Sequence, residues 1–393
     1  MPDQTAAVTL RLVSTLAEVP AAEWDRCAGS GNPFLSHAFL QALEESGSVS
    51  AETGWLPQHL VLEDESGRLV GAVPLYLKSH SAGEYVFDHG WADAYERAGG
   101  RYYPKLLAAV PFTPVPGPRL LVAPDAPEGT RATLIAGLEK ALEVHGASSL
   151  HVTFPEEEDW QALEAAGWLQ RIGHQYHWHN DGYGSFEDFL GALNSRKRKA
   201  IRKERREVAE SGITLVNVTG SDLTEAHWDA FFEFYMDTGS RKWGRPYLNR
   251  EFFSLIGERM ADRILLVMAL EEGRFVGGAL NLIGSDALYG RNWGCLEHVK
   301  FLHFEACYYR AIDFAIERGL ARVEAGAQGE HKVQRGYLPV ATYSAHLIAD
   351  PALSGPVEQF LARERRAELA DIEAMRREWS PFRHNDGGDP PCN

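Results

Sequence analysis

The segment EAGAQGEHKVQRGYLPVATYSAH, residues 324–346, has no helical or strand period, yet gathers donors, acceptors and cations within a few positions. Segments of mixed polar chemistry broken by glycine and proline are either solvated loops or the lining of a site. As a lining, Lys332, Gln328 and the backbone amides around Gly326 and Gly329 are donors that could face developing negative charge. Glu330 and His331 could accept a proton, directly or through water. Arg335 and Tyr337 follow at positions suited to gripping a carboxylate or phosphate, with a Tyr337 packed beneath the loop as the competing reading. Upstream, His303 and Glu305 open a helix whose buried stripe is Phe304, Tyr308 and Ile312, and Arg291, Asn292 and Trp293 lie on the strand before it. Both sets are candidates for the same cleft. A second constellation, Asp88, Trp91, Tyr102, Tyr103, Lys105, Phe112, Thr113 and Arg119, is aromatic and interleaved with prolines, which suits an acceptor pocket on loops. Three histidines in HQYHWH, residues 174–179, do not make a metal site: on a strand His174 points away from His177 and His179, and no third ligand is signalled.

These residues need elements to hold them. HLVLEDESGRLVGAVPLYL (59–77) and LLVMALEEGRFVGGALNLI (265–283) each read as an apolar strand, an acidic turn ending in Gly-Arg, and a second apolar strand. Two such hairpins about 200 residues apart indicate a duplicated domain. The first is preceded by a strand at 8–13 and a helical pattern at 36–47. It is followed by an extended 84–88, an irregular Tyr/Pro-rich stretch to Pro118, a strand from Arg119, a helix near 130–145, a strand at 148–154, the helix EEEDWQALEAAG and the strand WLQRIGHQYHWH. The second follows a strand at 213–218 and two helices, and precedes a strand at 286–294, the helix of 303–319 and the strand RVEAGA. Each half is mixed α/β, with an N-terminal domain at 1–180, a C-terminal domain at 181–380 and a flexible tail at 381–393. Ser185 begins a capping-box spacing, and Phe186, Phe189, Leu190, Leu193, Ile201 and Val208 recur at helical intervals, predicting one long helix over 185–211. Its stretch NSRKRKAIRKERREV holds eight Lys/Arg against Glu204 and Glu207. A solvated face is one reading. A phosphate-bearing ligand, RNA or an anionic lipid surface is the other, because a merely soluble helix alternates sign for i,i+4 pairing.

Composition limits the rest. With 393 residues, 45% hydrophobic and 11% aromatic, the chain can bury the cores of two or three domains. A net charge of −16 argues against a surface coated in phosphate-binding groups, so the cationic stripe is local. The four cysteines lack C-x-x-C spacing and read as reduced thiols of a cytoplasmic protein. No apolar run approaches the roughly 18 residues of a membrane span. No G-x-S-x-G, Walker A or dinucleotide-binding glycine pattern is present, which disfavours hydrolase, NTPase and dehydrogenase readings.

The duplicated halves, the basic stretch at their junction and the glycine-broken segment ending in Lys332 before Arg335-Gly336-Tyr337 make the sequence resemble the FemAB-like family (peptidoglycan biosynthesis/recognition) of the GNAT acyltransferase superfamily. The stretches YYPKLLAAVPFTPVPGPRLL, NSRKRKAIRKERREV, LHFEACYYRAIDFAIERGL and GAQGEHKVQRGYLPVATYSAH carry the likeness. It implies an α/β (α+β) fold of tandem GNAT-like domains with a cleft between them. It also implies transfer of an acyl or aminoacyl group to an amine, such as that of a peptidoglycan precursor, from aminoacyl-tRNA or acyl-CoA with no tightly bound cofactor. The family's lysine, which steadies negative charge, corresponds to Lys332, preceded here by His331 where an aromatic is usual. Arg196, Lys199 and Arg202 would then hold the donor's phosphates. A CoA-type pyrophosphate turn would need glycines before the helix of 303–319, and CLEHVKFLHFEACYY has none, which weighs toward the basic helix as the anion site. A non-catalytic protein recognising a wall precursor or RNA is the rival reading, and tRNA and an anionic membrane surface are the partners it leaves open.

Overall fold

The computed structural model describes residues 8–242, 246–297, 299–326 and 329–383, with the backbone alone at 240–242 and 330. Both hairpins form: His59–Glu63 pairs antiparallel with Leu69–Val73, and Ile264–Glu271 with Arg274–Ile283. Their turns close on Gly67 and Gly273, each at φ +80°, a left-handed conformation that costs a glycine little.

An 11-stranded sheet runs through the molecule in the spatial order Ile213–Val218, Ile264–Glu271, Arg274–Ile283, Ala287–Cys295, Arg322–Glu324, Leu169–His179, Leu338–Ile348, Ser149–Thr153, Lys105–Ala108, Leu75–Lys78, Trp55–Pro57. The order is symmetric about the central antiparallel pair, Leu169–His179 with Leu338–Ile348. Outward on either side comes a short strand antiparallel to the central one, then a parallel neighbour, then an antiparallel one. That internal symmetry is the structural form of the repeat seen in the hairpins. The halves are also interleaved. Among the described residues, Leu169–His179, the last strand of the first half, pairs only with strands of the second, and Leu338–Ile348 pairs only with strands of the first. A smaller four-stranded sheet, Thr9–Val13, His59–Glu63, Leu69–Val73 and Leu121–Val122, flanks the first half.

Three elements differ from expectation. Residues 84–88 are irregular chain, with bends at 85 and 86, leading into a helix, His89–Arg97, not a strand. Lys105–Ala108, inside the Tyr/Pro-rich stretch, is a fully buried sheet strand. The single long helix is two, Phe186–Ala192 and Ser195–Ala209. Ser185 caps the first, as its spacing implied, by accepting from the Asp188 amide, and Asn194 caps the second by accepting from the Lys197 amide. Between them Leu193 is extended and fully buried. A buried leucine followed by a good capping residue ends one helix and starts the next while keeping the apolar period. No helix among the described residues is long and apolar enough to cross a membrane.

Candidate active site

The strands Ala287–Cys295 and Arg322–Glu324 run parallel for three residues only, from Ala287 opposite Arg322 to Tyr289 opposite Glu324. Beyond Glu324 the chain turns toward Tyr176, with Ala325 N–H donating to the Tyr176 carbonyl (3.1 Å) and Tyr176 N–H to that of Gly326 (3.2 Å). The other strand runs on to Cys295, so a wedge opens between them. A β-bulge sharpens it: Leu280 faces Asn292 but Asn281 faces Gly290, leaving Arg291 as the extra residue. Helix Glu225–Lys242 backs this strand so closely that a Cβ at Gly294 would lie 2.3 Å from the Phe234 carbonyl oxygen.

The wedge holds a cavity of about 510 Å³ lined by Asn281, Arg291, Asn292, Trp293, His303, Cys307, Tyr308, His331 and Lys332, among others. Cys307 and Tyr308 come from a π-helical turn, Glu305–Tyr309, inside the helix running from Leu302 to Glu317. Such turns frequently occur at functional sites. A hollow of about 420 Å³ beside Lys300 and Phe301 shares Trp293 and His303 with the cavity.

Lys332 is 6% exposed, its ammonium donating to the carbonyls of Ala325 and Gly326 (3.3 Å to the latter) and lying 5.7 Å from the Tyr176 ring. An ammonium has three protons to donate, so one remains for a guest. Burial brings this ammonium down to about 8, so it is still largely charged at neutral pH. His331 is exposed at the cavity, its Nε2 3.0 Å from the Tyr308 hydroxyl. Burial, then Arg335 and Lys332, lower its pKa and favour the neutral ring. Gly329, at φ +106°, makes room for that ring, since a Cβ there would meet it at 2.6 Å.

Of the residues expected here, Lys332, His331, His303, Arg291, Asn292 and Trp293 therefore converge. Gln328 and the Glu330 side chain lie outside the described residues. The other candidates lie outside this cavity. Tyr337 is fully buried and donates to the Tyr308 carbonyl (3.0 Å), and Arg335 grips Glu204, not a ligand. Glu305 is buried and bound by Arg205 at 2.9 and 3.2 Å. Arg196, Lys199 and Arg202 are exposed and line neither space, and Arg202 pairs with Glu187.

Most of the first-half constellation is packed into the interior, away from this cavity. Lys105 is fully buried and donates to Ser81 (2.7 Å), Glu84 (2.7 Å) and Asp88, while Tyr102 donates to Asp88 at 2.7 Å. Buried charges persist only when paired in this way. Tyr103 shares a 2.8 Å hydrogen bond with Ser81, Thr113 bonds the Pro111 carbonyl, and Phe112 stacks on Tyr247. Arg119 is fully buried and ties the Pro-rich loop to strand Ser149–Thr153 through the carbonyls of Val115, Gly117 and Thr153. Trp91 packs against His346 and lines a separate apolar trough.

Asn281, Cys307 and Tyr308 complete the site and were not expected in it. The signal for Asn281 was present: it is the one strongly polar residue in the strand RFVGGALNLI after its first position.

A family model described as FemAB-like, peptidoglycan biosynthesis/recognition, matches residues 15–384. The chain belongs to the FemAB-like family. Solved structures agree on the fold. FemX superposes with a TM-score of 0.53 at 13% identity, covering 89% of this chain and 100% of that one. The C-terminal domain of a candidate lysylphosphatidylglycerol synthetase from Agrobacterium fabrum gives 0.55 at 10% identity, over 88% and 97%. L-PGS from Bacillus licheniformis gives 0.50 at 10%, over 86% and 98%. No curated protein sequence matches. The FemAB-like chain therefore has the tandem GNAT-like architecture that its repeat implied, with the candidate site in the second half.

Proposed function

We propose that this FemAB-like chain transfers an acyl or aminoacyl group from an activated ester or thioester to an amine, and that its reacting centre is the cavity at Lys332. The observation that carries this is the lysine itself: buried, charged at neutral pH, steadied by two backbone carbonyls and left with one proton to donate into an otherwise polar cavity. A donor carbonyl held there would place its developing oxyanion against Lys332 and the Asn292 amide, where exclusion of water strengthens each interaction. The amine's proton would leave through Tyr308 to neutral His331, a pair already in hydrogen-bond contact, and return to the expelled alkoxide or thiolate as the tetrahedral intermediate collapses with cleavage of its C–O or C–S bond.

Aminoacyl-tRNA is favoured over acyl-CoA as donor. The hollow at the start of helix Leu302–Glu317 is walled by Leu296, Glu297, Val299, Lys300 and Phe301, with no glycine to admit a pyrophosphate against the backbone. Arg196, Lys199, Arg202, Lys203 and Arg206 lie within about a third of the circumference of helix Ser195–Ala209, all exposed, and offer a polyanion a continuous stripe. A peptidoglycan-precursor amine is the acceptor class consistent with the family.

Purified protein incubated separately with charged tRNA and labelled acyl-CoA, each with an amine library, and read by mass spectrometry tests the assignment. Transfer from charged tRNA, lost in Lys332→Met with an unchanged melting temperature, is the expected result. Salt-dependent RNA binding without transfer from either donor would instead make the chain a recognition protein.

A further inference from the structure

Glu204 is an acid in the middle of a cationic run, and nothing in a phosphate-binding role for that run calls for it. The structure gives it three hydrogen bonds from two partners. Both its carboxylate oxygens accept from Arg335 Nη2 (2.9 and 3.0 Å), and one also accepts from the Tyr309 hydroxyl. Arg335 Nη1 donates to the His331 carbonyl at 2.9 Å, and its guanidinium stacks 3.4 Å over the Phe304 ring. One carboxylate thus joins helix Ser195–Ala209, helix Leu302–Glu317 and the segment that carries Lys332 and His331. We propose that Glu204 and Arg335 are a positioning pair, which holds the 329–336 segment so that the Lys332 ammonium stays in the cavity.

Geometry distinguishes this pair from the ordinary ion pairs of the same helix. Exposed pairs contribute little because water competes for both charges. Here the side chains of Arg335 and Glu204 are only 9% and 15% exposed, against 52% and 64% for Arg202 and Glu187. Lys332 and Arg335 are also three residues apart on the 3₁₀ turn Glu330–Arg335, where residues i and i+3 eclipse, so anchoring one fixes the other's backbone. Arg205, next in sequence, adds a second clasp through Glu305 and Asp313. The side of the helix facing the site is thus a lock, and only its outer side is left for a partner.

This inference rests on the reading of Lys332 given above, but its first readout does not. Lysines are reductively ¹³C-methylated, the Lys332 signal is assigned by its loss in Lys332→Met, and its titration is followed by NMR. The groups facing it are the Cys307 thiol, His177 and Tyr176 from neighbouring elements and His331 on its own. In Glu204→Gln the segment loosens and water reaches the ammonium, so its titration should move up by about one unit or more toward the ordinary lysine value. With an active donor, kcat should fall by about 10–100-fold with little change in KM, as expected when a catalytic group is displaced rather than removed. Glu204→Asp, which keeps the charge, should recover part of both effects. An unmoved Lys332 titration in Glu204→Gln overturns the proposal whether or not transfer is ever detected. If Glu204→Gln fails to fold, Arg335→Lys and Tyr309→Phe carry the same test, and wild-type titration in both overturns it equally.

Discussion

Lys332 and His331 sit side by side yet are held in opposite charge states by the same desolvation. Burial lowers both pKa values: the lysine falls from 10.5 to about 8 and remains charged at pH 7, while the histidine falls from 6.5 and is neutral there. If the ammonium stabilises an oxyanion and the imidazole takes a proton, activity requires both states at once. It should therefore rise as His331 deprotonates below its usual value and fall as Lys332 loses its proton near pH 8. A bell-shaped kcat/KM profile with its alkaline limb near 8 is the expected measurement, and a profile flat from pH 7 to 9.5 would remove Lys332's charge from the mechanism. The residues away from the cavity show why side-chain type alone misleads. Asp88, Tyr102 and Lys105 have the composition of a polar pocket, but their hydrogen bonds are spent on one another and on Glu84 and Ser81.

At the scale of elements, the site depends on how tightly helix Glu225–Lys242 lies on the bulged strand. Alanine at Gly294 would press its Cβ into the Phe234 carbonyl, backbone that cannot rotate away, whereas Gly191 on helix Phe186–Ala192 has nothing within 4 Å of the equivalent position. Gly294→Ala should cost about 1–3 kcal/mol in a urea melt through overpacking, and Gly191→Ala should gain about 0.4–1 kcal/mol by stiffening the unfolded chain. Equal and small effects would show that the helix does not bear on the strand. Much of this layer was legible in the sequence. The two hairpins announce themselves through paired apolar runs around a Gly-Arg turn, and the 324–346 segment through glycines that break every period. The rest was hidden for physical reasons. The apolar spacing of 185–211 is indifferent to a two-residue break, so only Asn194's capping chemistry could have revealed it. Lys105–Ala108 begins with a lysine and follows tyrosines and a proline, and nothing local says that Glu84 and Asp88 fold over it to make it a core strand.

At the scale of the whole molecule, the exchange of final strands makes the two halves one folding unit. Among the described residues, strand Leu169–His179 pairs with Arg322–Glu324 and Leu338–Ile348, and Leu338–Ile348 with Leu169–His179 and Ser149–Thr153. A fragment ending at residue 180 would keep an 11-residue strand with no partner, and one starting at 181 would do the same. Unpaired strands of that length recruit other chains instead of staying solvated. The long helix Pro351–Glu378 reinforces the exchange, since Glu364 receives a bidentate grip from Arg171 at 2.8 and 2.7 Å. The site spans the seam as well, because Tyr176 of the first half lies beneath the Lys332 ammonium and the Phe112 carbonyl of the first half holds Arg291 at 2.6 Å. Fragments 1–180 and 181–393 should each lack a cooperative thermal transition when expressed alone, and co-expression should yield a 1:1 complex melting as a single unit near the intact chain. A sharp, independent transition in either fragment would mean that the halves are separable domains, and that the candidate cavity could be assembled without the strand whose Tyr176 lies beneath the Lys332 ammonium.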